Sequence, residues 1–171
     1  MFRRLRSISQ DEGAPIGGIC GEGAKELRVD ECALFQGITT SHAYSDLQFS
    51  ARHHGSKSYV KYLRSPLAHE YPTLGHGSIF THGDIRPANI MVKEEPDAGG
   101  YTITRIIDWE NSGFYPPYSE CTALTRTLSV TDDDDWFSYL PASVGPSQFP
   151  IRWLVDRLWQ THLKTIVSSW V

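Results

Sequence analysis

The sequence is poor in cysteine, has no long apolar run and carries no excess of positive charge, and each shortage excludes something. Its three cysteines (Cys20, Cys32 and Cys121) are odd in number, far apart and never in C-x-x-C spacing. That excludes a disulfide framework or a thiolate zinc site, and favours free thiols in a reducing compartment. No apolar stretch approaches the roughly 20 residues that a membrane-spanning helix needs, so no membrane partner is expected. Sixteen Lys and Arg against twenty Asp and Glu give a net charge of −4, which leaves no electrostatic footprint for nucleic acid. The opening Met1-Phe2-Arg3-Arg4-Leu5-Arg6 is basic but has no apolar segment behind it. A secretory leader is therefore not expected, and the expected location is cytoplasmic. There is no internal repeat and no low-complexity tract.

What remains is ample for a core. Hydrophobic residues make up 40% and aromatics 12% of 171 residues, which are globular values. A chain of this length buries roughly 70% of its unfolded surface, and its length suits one domain over residues 1–171. Phe2, Leu5 and Ile8 recur at helical spacing and predict an amphipathic opening helix. The run "PIGGICGEGAK" (residues 15–25) tempts one towards a phosphate loop. It fails because Ala24 separates Gly23 from Lys25 and Glu26 follows, where a Walker loop needs Gly-Lys-Ser/Thr. It reads instead as a flexible turn, with Lys25 outside any strand. Residues 30–55 are weakly patterned. The stretch Gly55-Ser56-Lys57-Ser58 offers N-cap chemistry to a helix carrying Tyr59, Val60 and Leu63, stopped near Pro66. Residues 90–93 and 101–107 predict two strands joined by the turn-rich 94–100 segment. The Gly, Pro and Tyr run at 113–118 argues against regular structure. A helix is predicted from Cys121, and Asp132 to Asp135 form a solvated acidic cap ahead of Trp136. Ile151, Leu154, Val155, Leu158, Trp159, Leu163, Ile166 and Val167 mark a C-terminal amphipathic helix. The expected fold is α+β and mainly α-helical.

The chemistry lies in "FTHGDIRPANIMV" (residues 80–92) and in Asp108. If the two central strands pair as an antiparallel hairpin, Asn89 just before the first and Asp108 just after the second are neighbours. Asp84 lies five residues before Asn89 on a loop stiffened by Pro87. Three oxygen-bearing side chains thus converge, a donor set suited to Mg²⁺ sharing its shell with water and phosphate. Phosphoryl transfer needs such a set, with a carboxylate to accept the proton of the attacking hydroxyl and an amide and a second carboxylate to hold metal.

These motifs resemble the aminoglycoside phosphotransferase/choline kinase-like family, relatives of the protein kinases, and in particular its fungal members. "HGDIRPANIMV" resembles that family's catalytic loop. "IIDWENSGFYPPYSE" resembles its metal-binding segment, with Asp-Trp-Glu in place of Asp-Phe-Gly. The resemblance is specific over residues 80–120 and loose elsewhere, with C-terminal helices expected over about 121–169. It departs from the family at Ser119, where Trp commonly precedes the acid. It implies that Asp84 is the catalytic base, that Asn89 and Asp108 are metal ligands, and that ATP and Mg²⁺ are the cofactors. The implied partners are a nucleotide and a small-molecule acceptor. Glu110 is either an auxiliary acid near the metal or a loop residue. Arg86 either approaches a phosphate or faces solvent. His82 and Glu120 are expected to brace the loop. Tyr115, Tyr118, Trp136 and Trp153 either line an acceptor cleft or belong to the core.

Nothing before His82 reads as the five-stranded small lobe, with its strand lysine, that clamps ATP in kinases. The expectation is therefore a kinase-like large lobe alone, with a short hairpin bearing both loops. Positioning of reactants is worth about 7–11 kcal/mol of barrier, so such a lobe should bind ATP weakly and turn over slowly by itself. It would also leave an apolar face for a protein partner. The alternative reading is a non-catalytic kinase-like binding or regulatory protein. A metal-dependent hydrolase is disfavoured by its few ligands and the lack of a leaving-group acid.

Overall fold

The structure, a computed structural model, describes residues 2–69, 77–96, 99–129, 131, 133 and 135–168. It is α+β, and mixed rather than mainly helical. Three two-stranded antiparallel ribbons lie among five helices. β1 (Ala24–Glu26) pairs with β2 (Asp30–Phe35), β3 (Ile79–Thr81) with β6 (Gly113–Tyr115), and β4 (Ile90–Glu95) with β5 (Gly100–Ile106). The third ribbon is the hairpin expected from the sequence, with Ile90 opposite Ile106 and a register shift between Met91 and Val92. Asp97 and Ala98 of its turn lie outside the described residues.

The first two ribbons correct the sequence reading. Lys25 does lie in a strand, β1; before it the chain turns as expected, the Gly21 N–H donating to the Gly18 carbonyl at 3.1 Å, but the two ends of that turn are closely packed. A Cβ placed on Gly17 would sit 2.1 Å from the Gly23 carbonyl oxygen, and one on Gly113 would sit 2.2 Å from that of Gly17. These glycines let three backbone segments touch, a task that leaves no period in the sequence. The Gly-Phe-Tyr of 113–115 forms β6 because a distant strand, β3, supplies its hydrogen-bond partners. Single bridges extend that ribbon on both edges, from Ser9 to Ile79 and from Gly17 to Phe114.

The helices are α1 (Phe2–Leu5), α2 (Ser41–Gln48), α3 (Lys57–Arg64), α4 (Ser119–Leu124) and α5 (Pro150–Ser168). α1 ends before Ile8, which is exposed, so the opening helix is shorter than its apolar spacing suggests. Ser56 caps α3 as expected, its Oγ accepting the Tyr59 N–H at 3.1 Å, and a 3₁₀ turn over Ser65–His69 prolongs the helix beyond Pro66. α4 starts two residues before Cys121. Trp136 opens only a short 3₁₀ turn (Trp136–Tyr139), and Asp132 and Asp134 of the acidic run are outside the described residues.

α5 turns an unexpected stripe inward. Arg152, Val155, Asp156 and Trp159 are buried while Ile151, Leu154 and Leu158 are exposed. The i, i+3, i+4, i+7 spacing is helical, but two of its four members are charged. Arg152 lies 4.0 Å over the Tyr118 ring and donates to Ser45 Oγ and Gln48 Oε1. Asp156 accepts from Arg28 at 2.7 Å. Buried charge is tolerated here because each group is paired or hydrogen-bonded.

Three apolar clusters follow. Ile16, Ala24, Tyr44, Tyr115, Tyr118, Cys121 and Phe149 join the first ribbons to α2 and α4. Phe49, Ala51, Leu63, Leu67, Val155 and Trp159 join α3 to α5. Ile85, Leu124 and Val144, flanked by Ile90 and Ile106, lie beneath the loop between β3 and β4 and the root of the β4–β5 hairpin. Cys20 and Cys32 are exposed and Cys121 buried, all as free thiols. Among the described residues no helix is long and apolar enough to cross a membrane.

Candidate active site

The loop from His82 to Asn89 leaves β3, runs over the third cluster and enters β4 through a 3₁₀ turn, Pro87–Asn89. Ile85 plugs it into the core, and Pro87 fixes its exit. Gly83 makes its sharpest bend, at φ +83. Its companion is the 107–112 segment. The Ile107 N–H donates to the Asn89 carbonyl at 3.0 Å, so the hairpin's open end joins the two chains as the sequence implied.

Asp84, Asn89 and Asp108 are brought together. Asn89 Nδ2 donates to Asp84 Oδ2 at 3.0 Å and to the Asp84 carbonyl at 2.8 Å. Arg86 spans the two acids, with Nε 3.4 Å from Asp84 Oδ2 and Nη2 4.0 Å from Asp108 Oδ2. Of the two readings for Arg86, the structure thus places its head on the carboxylates while more than half of the side chain is open to solvent. Asp108 is the one described non-glycine residue with positive φ, at 65°. That backbone is strained for a residue with a side chain, and such outliers gather at functional sites.

His82 and Glu120 brace the loop from behind. The buried Glu120 carboxylate accepts the N–H of His82 at 2.7 Å and that of Gly83 at 3.3 Å. Burial pushes its pKa up, and those N–H groups together with Arg6 partly offset the rise. The His82 ring sits between two backbone partners. Its Nε2 lies 3.1 Å from the Ile107 carbonyl, and its Nδ1 accepts the Asp84 N–H at 3.3 Å. A carbonyl can only accept and an N–H can only donate, so the neutral Nε2–H tautomer satisfies both contacts. Burial lowers the His82 pKa in the same sense. A neutral imidazole with both nitrogens committed ties the two loops together and is not placed to shuttle protons. Trp109 packs on it with ring centroids 4.4 Å apart.

Glu110 is not drawn into the carboxylate group. It is exposed, and its backbone carbonyl accepts the Lys25 Nζ at 2.5 Å. Lys25 itself was missed in the sequence, because its short strand has no alternation to betray it. With Tyr115 it stands between two clefts. One, a crevice of only about 40 Å³, runs along Thr81, Gly83, Asn111 and Arg126. The other, of about 500 Å³, lies between the glycine-rich segment and Trp109, Glu110 and Ser112. Tyr115 therefore serves both the core and a cleft wall. Tyr118 is wholly core, and Trp136 and Trp153 are partly buried against apolar clusters.

Among the described residues no three His, Cys, Asp or Glu side chains cluster to hold a metal ion. The set present is two carboxylates and an amide, all oxygen donors. That suits Mg²⁺, which keeps several waters and takes one or two carboxylates plus substrate phosphates, and it does not suit zinc.

The sequence profile of the phosphotransferase enzyme family (APH) matches residues 47–158. The chain belongs to that family, whose membership implies kinase-like phosphoryl transfer. No curated protein matches the chain. No solved structure matches it either.

Proposed function

We propose that this chain carries a kinase-type site that transfers the γ-phosphoryl group of MgATP to a hydroxyl of a small molecule. The observation that carries the reading is the single guanidinium of Arg86 lying against both Asp84 and Asp108, with Asn89 bonded to Asp84. In this reading Asp84 accepts the proton of the acceptor hydroxyl as its oxygen bonds to the γ-phosphorus and ADP leaves. Asn89 and Asp108 would hold Mg²⁺, which supplies neutralisation of phosphate charge. His82 and Glu120 keep Asp84 in place.

The surroundings support a site with two entrances. Val92, Ile103 and Tyr101 leave exposed apolar surface along the β4–β5 hairpin, whose root leads into Asp108. Such a face suits a covering layer over the nucleotide, supplied by a small lobe in the same protein or by a partner. The cleft between the glycine-rich segment and Trp109, Glu110 and Ser112, lined also by Lys25 and Tyr115, suits the acceptor. In this reading the described residues form the catalytic lobe of a family member.

The test is calorimetric titration of MgATP into the protein and into Asp108→Ala. Binding that needs both Mg²⁺ and Asp108 is expected. Equal binding in both, or none in either, removes the catalytic reading and favours a non-catalytic kinase-like binding protein.

A further inference from the structure

We infer that the small crevice between β1, β3 and α4 is a binding site for one small monovalent anion, a halide ion or a carboxylate group. It adjoins the His82–Asn89 loop, but it does not depend on any role given to Asp84, Asn89 or Asp108.

The argument begins with two buried polar atoms. Ser119 Oγ and Arg126 Nε are sealed from solvent, and neither makes a hydrogen bond within the described residues. Ser119 is 6% exposed, and both residues line this one crevice. Buried polar groups are seldom left unpaired because the loss is costly. Two of them on one wall point to an occupant.

Charge decides its kind. Lys25 and Arg126 line the crevice, and no Asp or Glu does. Arg126 reaches Glu26 Oε1 only through Nη2, at 3.8 Å, while Arg28 holds that same oxygen at 2.9 Å. The Arg126 Nε–H is left over. Lys25 Nζ gives one of its three protons to the Glu110 carbonyl. Tyr115 Oη accepts the Lys25 N–H at 3.1 Å, so its own proton remains to be donated, and burial raises its pKa and keeps that proton on. Arginine and lysine nitrogens can only donate. Cationic donors bond an anion more strongly than they bond water.

Size narrows the choice. About 40 Å³ holds two or three water-sized groups at about 10–15 Å³ each. That admits a halide, formate, or the carboxylate end of a longer molecule leaving past Leu27, the exposed member of the wall. It is too small for the triphosphate of a nucleotide. Thr81 and Gly83, on either side of His82, share the wall with Ser119, the neighbour of Glu120. An anion seated there ties β1, β3 and α4 together at the base of the loop.

The experiment follows the chlorine NMR line width of sodium chloride in the presence of wild type, Ser119→Ala and Arg126→Lys, with formate, butyrate or methanesulfonate added at constant ionic strength. Circular dichroism checks the fold of each variant. Wild type should broaden the line, and formate should narrow it again while the bulkier methanesulfonate does not. Loss of one hydrogen bond to a charged ligand should weaken chloride binding about tenfold in each variant. Displacement by butyrate as well as formate supports the site with the carboxylate of a longer molecule as its ligand. Exclusion of butyrate supports it with a free ion. No broadening in wild type means that the crevice holds water only, and overturns the proposal. Broadening that methanesulfonate removes as well as formate does, or that both variants keep in full, places the anion on the surface and overturns it too. Should neither variant fold, the wild-type comparison of formate with methanesulfonate still decides.

Discussion

Glu120, the second residue of α4, accepts the backbone N–H of His82, thirty-eight positions earlier, at 2.7 Å. One buried carboxylate thereby holds the start of the His82–Asn89 loop to α4. Gln in its place offers one acceptor to two N–H groups and turns an amide NH₂ towards the other. Leaving a buried donor unpaired costs about 1–3 kcal/mol. Glu120→Gln should lower the urea midpoint accordingly, with an unchanged dependence on denaturant. A midpoint equal to that of wild type would mean that the loop stands without this anchor.

Gly83 tests the geometry of the bend. It has φ +83 and would place a Cβ 2.6 Å from the Asn111 carbonyl oxygen, whereas Gly13 has the same φ with nothing within 4 Å. Gly13→Ala should cost only the left-handed penalty of about 1–2 kcal/mol. Gly83→Ala should cost more and also weaken divalent-metal binding. Equal thermal shifts in the two variants would remove the contact with Asn111 from the account.

Asp108 separates strain from chemistry. Its φ of 65° is free for Gly and costly for Ala, so Asp108→Gly should be about 1 kcal/mol more stable than Asp108→Ala. Both should lose metal equally. Thermal unfolding of the pair measures the first difference and Mn²⁺ titration the second. Equal stability would show that the backbone there relaxes on mutation.

Two buried carboxylates should bend the pH profile in opposite directions. Glu26 is desolvated, which alone would raise its pKa, but Arg28 and Arg126 outweigh that and hold it at about 2. Its stabilising contribution is present above the ordinary value of 4.5 and is lost as pH falls through about 2. Burial raises Glu120 instead, so its contribution is present below 4.5 and is lost as pH climbs through the raised value. Glu26→Gln should therefore flatten the acid limb between pH 4.5 and 2, and Glu120→Gln should flatten the decline above 4.5. Urea unfolding across pH reads both, and an acid limb unaltered in Glu26→Gln would contradict the ion-pair assignment.

The site was more legible in the sequence than the fold. Asp84, Asn89 and Asp108 could be placed together because a hairpin with a short turn converts a sequence separation into a spatial contact, and both strands carry β-branched residues. Glu120 and His82 were legible as supports through the family motif. The ribbons of Lys25 and of Gly113 were not, because three-residue strands have too few positions to show a period of two, the adjoining β2 has no clear apolar alternation, and the partner of β6 lies far back along the chain. The inward face of α5 misled for a different reason. Periodicity ranks Ile151, Leu154 and Leu158 above Arg152 and Asp156, but Tyr118, Gln48 and Arg28 supply partners that only the fold brings there.

The N-terminal stretch has a mechanical consequence. Phe80 donates its N–H to the Ile8 carbonyl, Gly17 bridges the opposite edge of the same ribbon at Phe114, and Arg6 reaches the Pro117 carbonyl. Residues 6–17 thus form a sling around the strand that feeds the loop. Tension applied at that end would reach Phe80, two residues from His82, without passing through a slack linker. The alignment of Asp84 with Asp108 is therefore sensitive to load carried by a segment that touches neither of them.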